Sequence, residues 1–449
     1  MSGIFKAYDV RGKYPEEVNE TTAQKIGAAF VRLLSPKRMV IGHDSRCSSP
    51  ALSKAFIAGA ATSEVVIADV GLTTSPALYD AIIEGAFDAG VMVTASHLPA
   101  EMNGFKLCRE KAIPLSGDEG LPALESLMGT LTAAPLEPQA IRSSYEQVDR
   151  REAYVDKLSR FVHRPQSLKI VIDAGNGSAG PELALFLKKF PMWDTVTMYM
   201  EPDGRFPHHV ANPLIVSTTR DLQSRVVQEK AAIGIAFDGD ADRCGFIDET
   251  GERISQDLIT ALVAEFVLSK NPGATILYDL RSSRVVPETI LRLGGRPLRC
   301  RVGHSFIKAT MRKEQAAFAG ELSGHYYYRD TGYTDNALMT MIQILNLLSL
   351  KGGSMSGLIA PLRKYVSTGE LNFAIKEKQA VFKVLEDRYP DAKKDFLDGL
   401  TVEYDTWWFN LRASNTEPAI RLNLEADNEK ILLEKKREVI ELIRRFMNT

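Results

Sequence analysis

Residues 233–248 read IGIAFDGDADRCGFID, three carboxylates at alternate positions between two apolar runs. On one face of a strand, Asp238, Asp240 and Asp242 would repel one another. The alternation makes sense as a loop folded about a cation, with IGIAF and CGFID as the strands on either side. An EF-hand loop competes for this pattern, and Glu249 falls at its twelfth position counted from Asp238. The sixth position, which needs glycine for a sharp turn, is Arg243, and the flanks read as strands, so that reading fails. A solvated acidic turn is weakened because apolar strands on both sides pin the loop at the rim of a sheet. Three oxygen ligands with open positions suit Mg²⁺, which completes its shell with phosphate oxygens.

Moving outward, the same pattern recurs: VMVTASH at 91–97 and AAFAGELSGH at 316–325 are also apolar runs ending in polar loops. Helical patterns such as TAQKIGAAFVRLL and PELALFLKKF lie between them, so strand, loop and helix alternate and predict α/β units with a mostly parallel sheet. A linker is expected around residues 132 to 144 (TAAPLEPQAIRSS), and CGFIDETGERIS reads as a closing hairpin. The expected units are 1–148, 149–252 and 253–364, followed by a smaller α+β module at 365–449. In that module, YDTWWFNLR and AIRLNLEA are two strands flanking a loop, and NEKILLEKKREVIELIRRFM is an amphipathic helix.

Composition narrows the partners. The chain has 449 residues, and 45% hydrophobic with 25% charged residues describes an ordinary globular protein. Lys+Arg 55 against Asp+Glu 57 leaves a formal charge of -2, so no basic field points to nucleic acid or an anionic membrane. The apolar stretches LITALVAEFVL and ALMTMIQILNLLSL are short or carry Glu265, Gln343 and Asn346, so no membrane span is expected. Cys47, Cys108, Cys244 and Cys300 show no C-x-x-C spacing, which predicts a cytoplasmic protein without zinc or a disulfide framework.

Ser96 ends an apolar strand candidate in VTASHLPAEMNGFK, and the carboxyl rim of an α/β sheet is where ligands bind. RASNTEP, from Arg412 to Pro418, groups a guanidinium, two hydroxyls and an amide in one turn, which fits a phosphate dianion. GELSGH offers Glu321 and Ser323 to adjacent sugar hydroxyls, and GHSFIK adds His304 and Lys308. VIDAGNGSAG lacks the spacing and lysine of a phosphate-binding loop and reads as a structural turn.

Taken in order, FKAYDVRG, GHDSRCSSP, TASHLPAEMNGFK, EPDGRFPHH, DGDADR, VGHSFIK, GELSGH and RASNTEP resemble the α-D-phosphohexomutases, most closely the bacterial phosphomannomutase/phosphoglucomutase branch. The resemblance covers nearly the whole chain. It implies three topologically similar mixed α/β domains and a smaller C-terminal α+β domain around a central cleft. It implies a hexose 1-phosphate/6-phosphate mutase for mannose and/or glucose, working through a phosphoserine at Ser96 and a hexose 1,6-bisphosphate intermediate that also serves as activator. The metal ligands would be Asp238, Asp240, Asp242 and Ser96, holding Mg²⁺. Lys106 matches the family's general acid/base, with His304 and His325 as helpers, and a lysine acts as a base only when cations or burial lower its pKa. Tyr8, Arg11, His97, Arg243, Arg281, Glu321, Ser323, Arg412, Ser414, Asn415 and Thr416 would bind substrate. The implied partner is a small phosphosugar, and the implied state a monomer or weak homodimer.

The chain departs from the family at Leu98, where the serine loop commonly has asparagine, and at Arg281, where a cleft lysine is common. Leu322 stands where methionine is usual in this branch and glutamine in the glucosamine branch. The alternatives are a phosphoglucosamine mutase and a non-catalytic sugar-phosphate-binding homologue. A serine hydrolase is disfavoured because G-x-S-x-G is absent and His97, adjacent in sequence, is expected to be poorly placed to take the Ser96 proton.

Overall fold

Four sheets in chain order organise the molecule. The structure is a computed structural model, and it describes residues 3–117, 120–131, 144–375, 377–413 and 419–447. The first sheet has six strands in the order Val10–Lys13, Met102–Arg109, Ala89–Val93, Arg38–His43, Val66–Leu72 and Ser144–Gln147. Its last four strands run parallel, while Met102–Arg109 pairs antiparallel with Ala89–Val93. The second sheet repeats this with Ile233–Phe237 parallel to Leu168–Asp173 and antiparallel to Cys244–Asp248. In the third, Phe318–Gly320 is parallel to Thr275–Asp279 and antiparallel to Tyr326–Tyr328. The first sheet is thus mostly parallel and the second and third are evenly mixed, and the strand after each site loop is antiparallel because that loop is too short for a crossover. Ser96, the three aspartates and GELSGH thus occupy the same position in three successive units: the connection from a parallel strand to its antiparallel neighbour.

The fourth sheet is antiparallel throughout, in the order Val366–Ala374, Ala419–Ala426, Trp407–Ala413, Leu400–Glu403 and Lys393–Asp395. The helix Glu429–Arg444 packs against it and completes a self-contained core of residues such as Phe409, Leu422, Leu424 and Val439. The second and third units, by contrast, share one core. The helices Gln256–Lys270 and Ala337–Lys351 lie within it, together with Ile170 and Phe237 of one sheet and Ile276 and Phe318 of the other.

That core explains the two apolar stretches. Asn336 caps Ala337–Lys351 by accepting the Met339 N–H at 2.8 Å. Asn346 is buried but satisfied, donating to the Phe161 carbonyl at 2.7 Å and accepting the His163 N–H at 2.7 Å. Among the described residues, no helix is long and apolar enough to cross a membrane.

Candidate active site

Ser96 is 1% exposed, and its backbone is in the left-handed region at φ 52. For a non-glycine residue that conformation costs free energy and persists only where the surroundings enforce it. Thr94 Oγ1 accepts the Ser96 N–H at 2.8 Å. On the other side of the turn, the wholly buried Arg46 guanidinium donates to the carbonyls of Ser96 (2.8 Å), Leu98 (2.7 Å), Pro99 (2.5 Å) and Met102 (3.0 Å). Asp44 accepts Arg46 Nε at 3.0 Å and the Thr94 hydroxyl at 2.7 Å, so one carboxylate ties together both braces of the serine turn. Leu98 enters this brace through its carbonyl, a contact that does not depend on its side chain.

The Ser96 hydroxyl donates to Asp238 Oδ2 at 2.9 Å, and Gly239 lies so close that a Cβ there would be 2.6 Å from the Ser96 carbonyl oxygen. The structural turn VIDAGNGSAG supports the metal loop from behind: the Ser178 N–H donates to the Gly239 carbonyl at 2.9 Å. Asp238, Asp240 and Asp242 are 0%, 0% and 2% exposed, with carboxylate oxygens within 4.8 Å of one another. Lys106 Nζ donates to Asp240 Oδ2 at 2.6 Å and Asp242 Oδ2 at 2.5 Å. Arg243 Nε is 3.8 Å from Asp238 Oδ2.

A divalent cation fits this set. Asp240 Oδ1 and Asp242 Oδ1 are buried without a hydrogen-bond partner among the described residues. Burial, and then the neighbouring Asp242 and Asp240, push the Asp238 carboxyl well above its usual range, the expected response of crowded anions short of positive charge. Asp242 moves the other way: Lys106 and His325 outweigh its burial and hold it well below that range.

Lys106 is held by the acidic loop. Burial alone would lower its pKa, but Asp240 and Asp242 more than reverse this and raise it above the ordinary lysine value. The ammonium donates to both carboxylates. His97 differs from expectation. Its Nδ1 lies 3.2 Å from Ser96 Oγ, because the left-handed turn at Ser96 brings the adjacent side chains together. Burial and the charges of Arg243 and Arg11 push that imidazole well below its usual pKa, so it is neutral.

The third unit closes the site. Arg243 and His325 form an antiparallel bridge, which docks GELSGH onto the edge of the metal loop. His325 Nε2 is 3.4 Å from Asp242 Oδ1, and its Nδ1 is 3.0 Å from the Ser323 hydroxyl and 3.5 Å from Glu321 Oε2. Burial and Arg243 lower this ring's pKa, but Asp242 and Glu321 dominate and raise it to about 9. His304 differs: burial, Lys308 and His325 push it well below 6.5, and neither ring nitrogen has a partner among the described residues. Tyr8 packs edge-on against His304 with centroids 5.4 Å apart and donates to the Val302 carbonyl at 3.1 Å. A Cβ on Gly303, at φ 127, would strike its hydroxyl at 2.5 Å. Arg11 is held by Asp9, with Nε 2.7 Å from Oδ2.

Contacts continue to the fourth unit. Glu321 Oε1 lies 3.5 Å from Arg281 Nη2, whose guanidinium is gripped by Asp279 at 2.7 Å. Arg281 Nη1 lies 3.4 Å from Glu370 Oε2, which accepts Arg412 Nη2 at 2.7 Å. A series of polar contacts thus runs from Ser96 through Asp238, Arg243, Asp242, His325, Glu321, Arg281 and Glu370 to Arg412, with residues from all four units. Ser414, Asn415 and Thr416 lie outside the described residues. The motif reading missed Asp44, Arg46 and Glu370. GHDSR was visible as a motif, but its arginine serves backbone carbonyls, which carry no side-chain signature.

Comparisons with known proteins agree along the whole chain. Phosphoglucomutase/phosphomannomutase alpha/beta/alpha domains I, II and III match residues 2–133, 152–251 and 255–365, and the C-terminal domain of that family matches 370–442. Phosphohexose mutases of Xanthomonas campestris pv. campestris (strain B100) are 39% identical over 447 residues, covering 98% of this chain and 99% of the relative. A phosphomannomutase of Escherichia coli (strain K12) is 37% identical, covering 96% of each. The crystal structure of a phosphoglucomutase/phosphomannomutase family protein from Burkholderia thailandensis superposes with a TM-score of 0.89 at 32% identity, over 99% of this chain and 97% of that one. With relatives matched over nearly their whole length, four matched domains in order and polar contacts that link all four units, the chain belongs to the phosphoglucomutase/phosphomannomutase family.

Proposed function

We propose that this enzyme interconverts hexose 1-phosphates and hexose 6-phosphates, with Ser96 as the phosphoryl carrier. The observation that carries the reading is the buried Ser96 hydroxyl 2.9 Å from Asp238, beside three clustered carboxylates and the Lys106 ammonium. Asp238, Asp240 and Asp242, with the serine oxygen, would hold Mg²⁺. When bound, that ion supplies positive charge to a phosphoryl group in transit.

In the first half-reaction the P–Oγ bond of phospho-Ser96 breaks, a bond forms between phosphorus and the free sugar hydroxyl, and the hydroxyl proton leaves to a base. The product is a hexose 1,6-bisphosphate. It turns round, and its other phosphate returns to Ser96. Lys106, charged and rigidly paired, stabilises the moving group, gives a proton to the departing Ser96 oxygen and takes it back when the second phosphate returns. His304, neutral with unpartnered nitrogens, is suited to accept one. Phosphoryl transfer through a loose transition state is mostly positioning and charge stabilisation, which suits a site built from braces and ions.

Glu321 and Ser323 would read the 3- and 4-hydroxyls, Arg281 and Arg243 would flank the sugar, and Arg412 with the 414–416 turn would clamp the distal phosphate. Tyr8, Arg11 and His97 complete the first unit's wall. Serine, metal, sugar and clamp functions then fall to units 1–148, 149–252, 253–364 and 365–449. The protein would act in the cytoplasm as a monomer or weak homodimer.

Glucose and mannose differ at carbon 2, and no dedicated reader of that carbon stands among the assigned residues. Their phosphates are expected to turn over with kcat/KM within about tenfold, or about 1.4 kcal/mol, and N-acetylglucosamine phosphate to be poorer. The test joins intact mass, for one labile phosphate on Ser96, to kinetics on the three 1-phosphates. Mutase turnover by a chain whose Ser96 never carries phosphate would overturn the reading.

A further inference from the structure

The fourth unit opens with the strand Val366–Ala374, sequence VSTGELNFA. Its register against Ala419–Ala426 runs Ser367↔Glu425 and resumes at Glu370↔Asn423, so Thr368 and Gly369 bulge out. Gly369 sits at φ 63, and a Cβ there would meet nothing within 4 Å, so backbone conformation and not space calls for glycine. A bulge re-aims the side chain that follows it. Here that side chain is Glu370, and it points into three guanidiniums.

Glu370 Oε2 lies 2.7 Å from Arg412 Nη2 and 3.4 Å from Arg281 Nη1, and Oε1 lies 3.5 Å from Arg421 Nη1. Arg281 is already paired with Asp279 at 2.7 Å. Arg412 and Arg421 have no other carboxylate within ion-pair distance among the described residues. The Nε atoms of both are also buried and unpartnered there, although the Arg412 side chain is only 6% exposed. An arginine cannot shed its charge, so this cluster holds more positive charge than one carboxylate neutralises and retains donors for a second anion.

We propose that Glu370 is the resident counter-anion of the distal phosphate clamp, holding Arg412 and Arg421 while no phosphate is present and reclaiming them when a phosphate leaves. This rests on the reading of Arg412 as that clamp. The mutase cycle demands such a device, because a bisphosphate that turns round must release its distal phosphate once per turnover. Two unopposed arginines, Arg412 buried and Arg421 partly so, would bind that phosphate in every state alike, and uniform binding deepens the ground state without speeding the chemistry. A carboxylate already within 2.7 Å of Arg412 replaces the departing oxygens as they leave, so the arginine is not stranded.

Glu370→Gln tests this. The amide preserves shape and an acceptor for Arg412 but removes the competing charge. Calorimetric titration with glucose 1,6-bisphosphate is done in a Ser96→Ala background, so that nothing turns over, and mutase kinetics in the Ser96 background. Glu370→Gln is expected to lower the Kd for the bisphosphate by about tenfold and to lower KM and kcat together, as release slows. Glu370→Asp, which keeps the charge, should return both towards the parent. A residue that merely braced the fourth unit against the third would give the opposite sign, so an unchanged or raised Kd in Glu370→Gln overturns the proposal. Arg412→Ala separates this result from the parent reading. If that variant binds the bisphosphate as tightly as its Ser96→Ala parent, the clamp lies elsewhere and both readings fall.

Discussion

Replacing Arg46 with lysine probes whether the serine turn is held by its neighbours or by its own preference. All five donors of the Arg46 guanidinium are engaged: Nε with Asp44, Nη1 with Pro99 and Met102, Nη2 with Ser96 and Leu98. Lysine keeps the charge beside Asp44 but offers three donors from one point, so at least two buried acceptors lose their partner. At roughly 1–3 kcal/mol for each orphaned buried acceptor, the turn loses about 2–6 kcal/mol. That is enough to release Ser96 from an unfavourable backbone conformation worth about 1–3 kcal/mol. A displacement on the order of 1 Å costs about 10²-fold in rate, or about 2.7 kcal/mol. Arg46→Lys is therefore expected to lower kcat about 10²-fold. Its KM should stay within about threefold, because Glu321 and Ser323, assigned to the sugar hydroxyls, and Arg412, assigned to the distal phosphate, lie on other units. Steady-state mutase kinetics alongside intact-mass measurement of phospho-Ser96 would show this split. A kcat within about threefold of the parent would refute the claim that Arg46 positions the serine.

Ser96→Ala should abolish both the phosphoenzyme and turnover with melting unchanged, as read by intact mass and differential scanning calorimetry. Asp240→Asn, or chelation, should reduce turnover by at least about 10²-fold, and full activity in demonstrably metal-free protein would remove the acidic loop from the mechanism. Gly239→Ala, whose Cβ would sit 2.6 Å from the Ser96 carbonyl oxygen, should lower kcat by about 10²-fold through the same displacement of the serine. Glu182 is 3% exposed and spans two units, accepting the Thr74 hydroxyl at 2.8 Å and its N–H at 3.2 Å, and burial raises its pKa to about 7. The folded state then binds the extra proton, so stability is greatest below the unfolded carboxyl value and falls as pH rises towards about 7, by about 3 kcal/mol at most. Glu182→Gln should flatten this slope, so its melting temperature should gain on the parent between pH 5 and pH 8; parallel curves would show that Glu182 does not titrate there.

Local pattern was enough to find the three site hairpins, since apolar runs ending in DGDADR, TASH and GELSGH mark both the strands and what they carry. Direction was harder. Parallel and antiparallel partners have the same apolar signature, and only the loop lengths showed that the strand after each site must return beside its predecessor. Candidate site residues stood out where several polar groups gather in one loop and stayed hidden where a side chain serves other protein. Arg46 reaches carbonyls 50 to 56 positions away, and Glu182 meets Thr74 across 108. Lys106 shows the same limit from another side: its identity marks it as functional, but its protonation is set by Asp240 and Asp242, on a loop more than a hundred residues downstream.

The self-contained core of the fourth unit has a consequence for how the cleft is put together. Its ties to the third unit include polar ones: Arg284 donates through its side chain to the Asp405 carbonyl at 2.7 Å and through its N–H to Glu425 Oε1 at 3.1 Å, and Arg299 pairs with Glu403 at 2.6 Å. Polar interfaces of this kind leave neighbouring bodies free to separate and redock. On the proposed reading, the clamp would meet the other three units as a tethered ligand, at an effective concentration that a short linker sets in the millimolar range. Cutting the tether near residue 365 would convert that encounter into an ordinary bimolecular one. Residues 365–449 supplied as a separate chain should then restore turnover to the remainder only in proportion to the amount added, with half-restoration marking the strength of the interface alone.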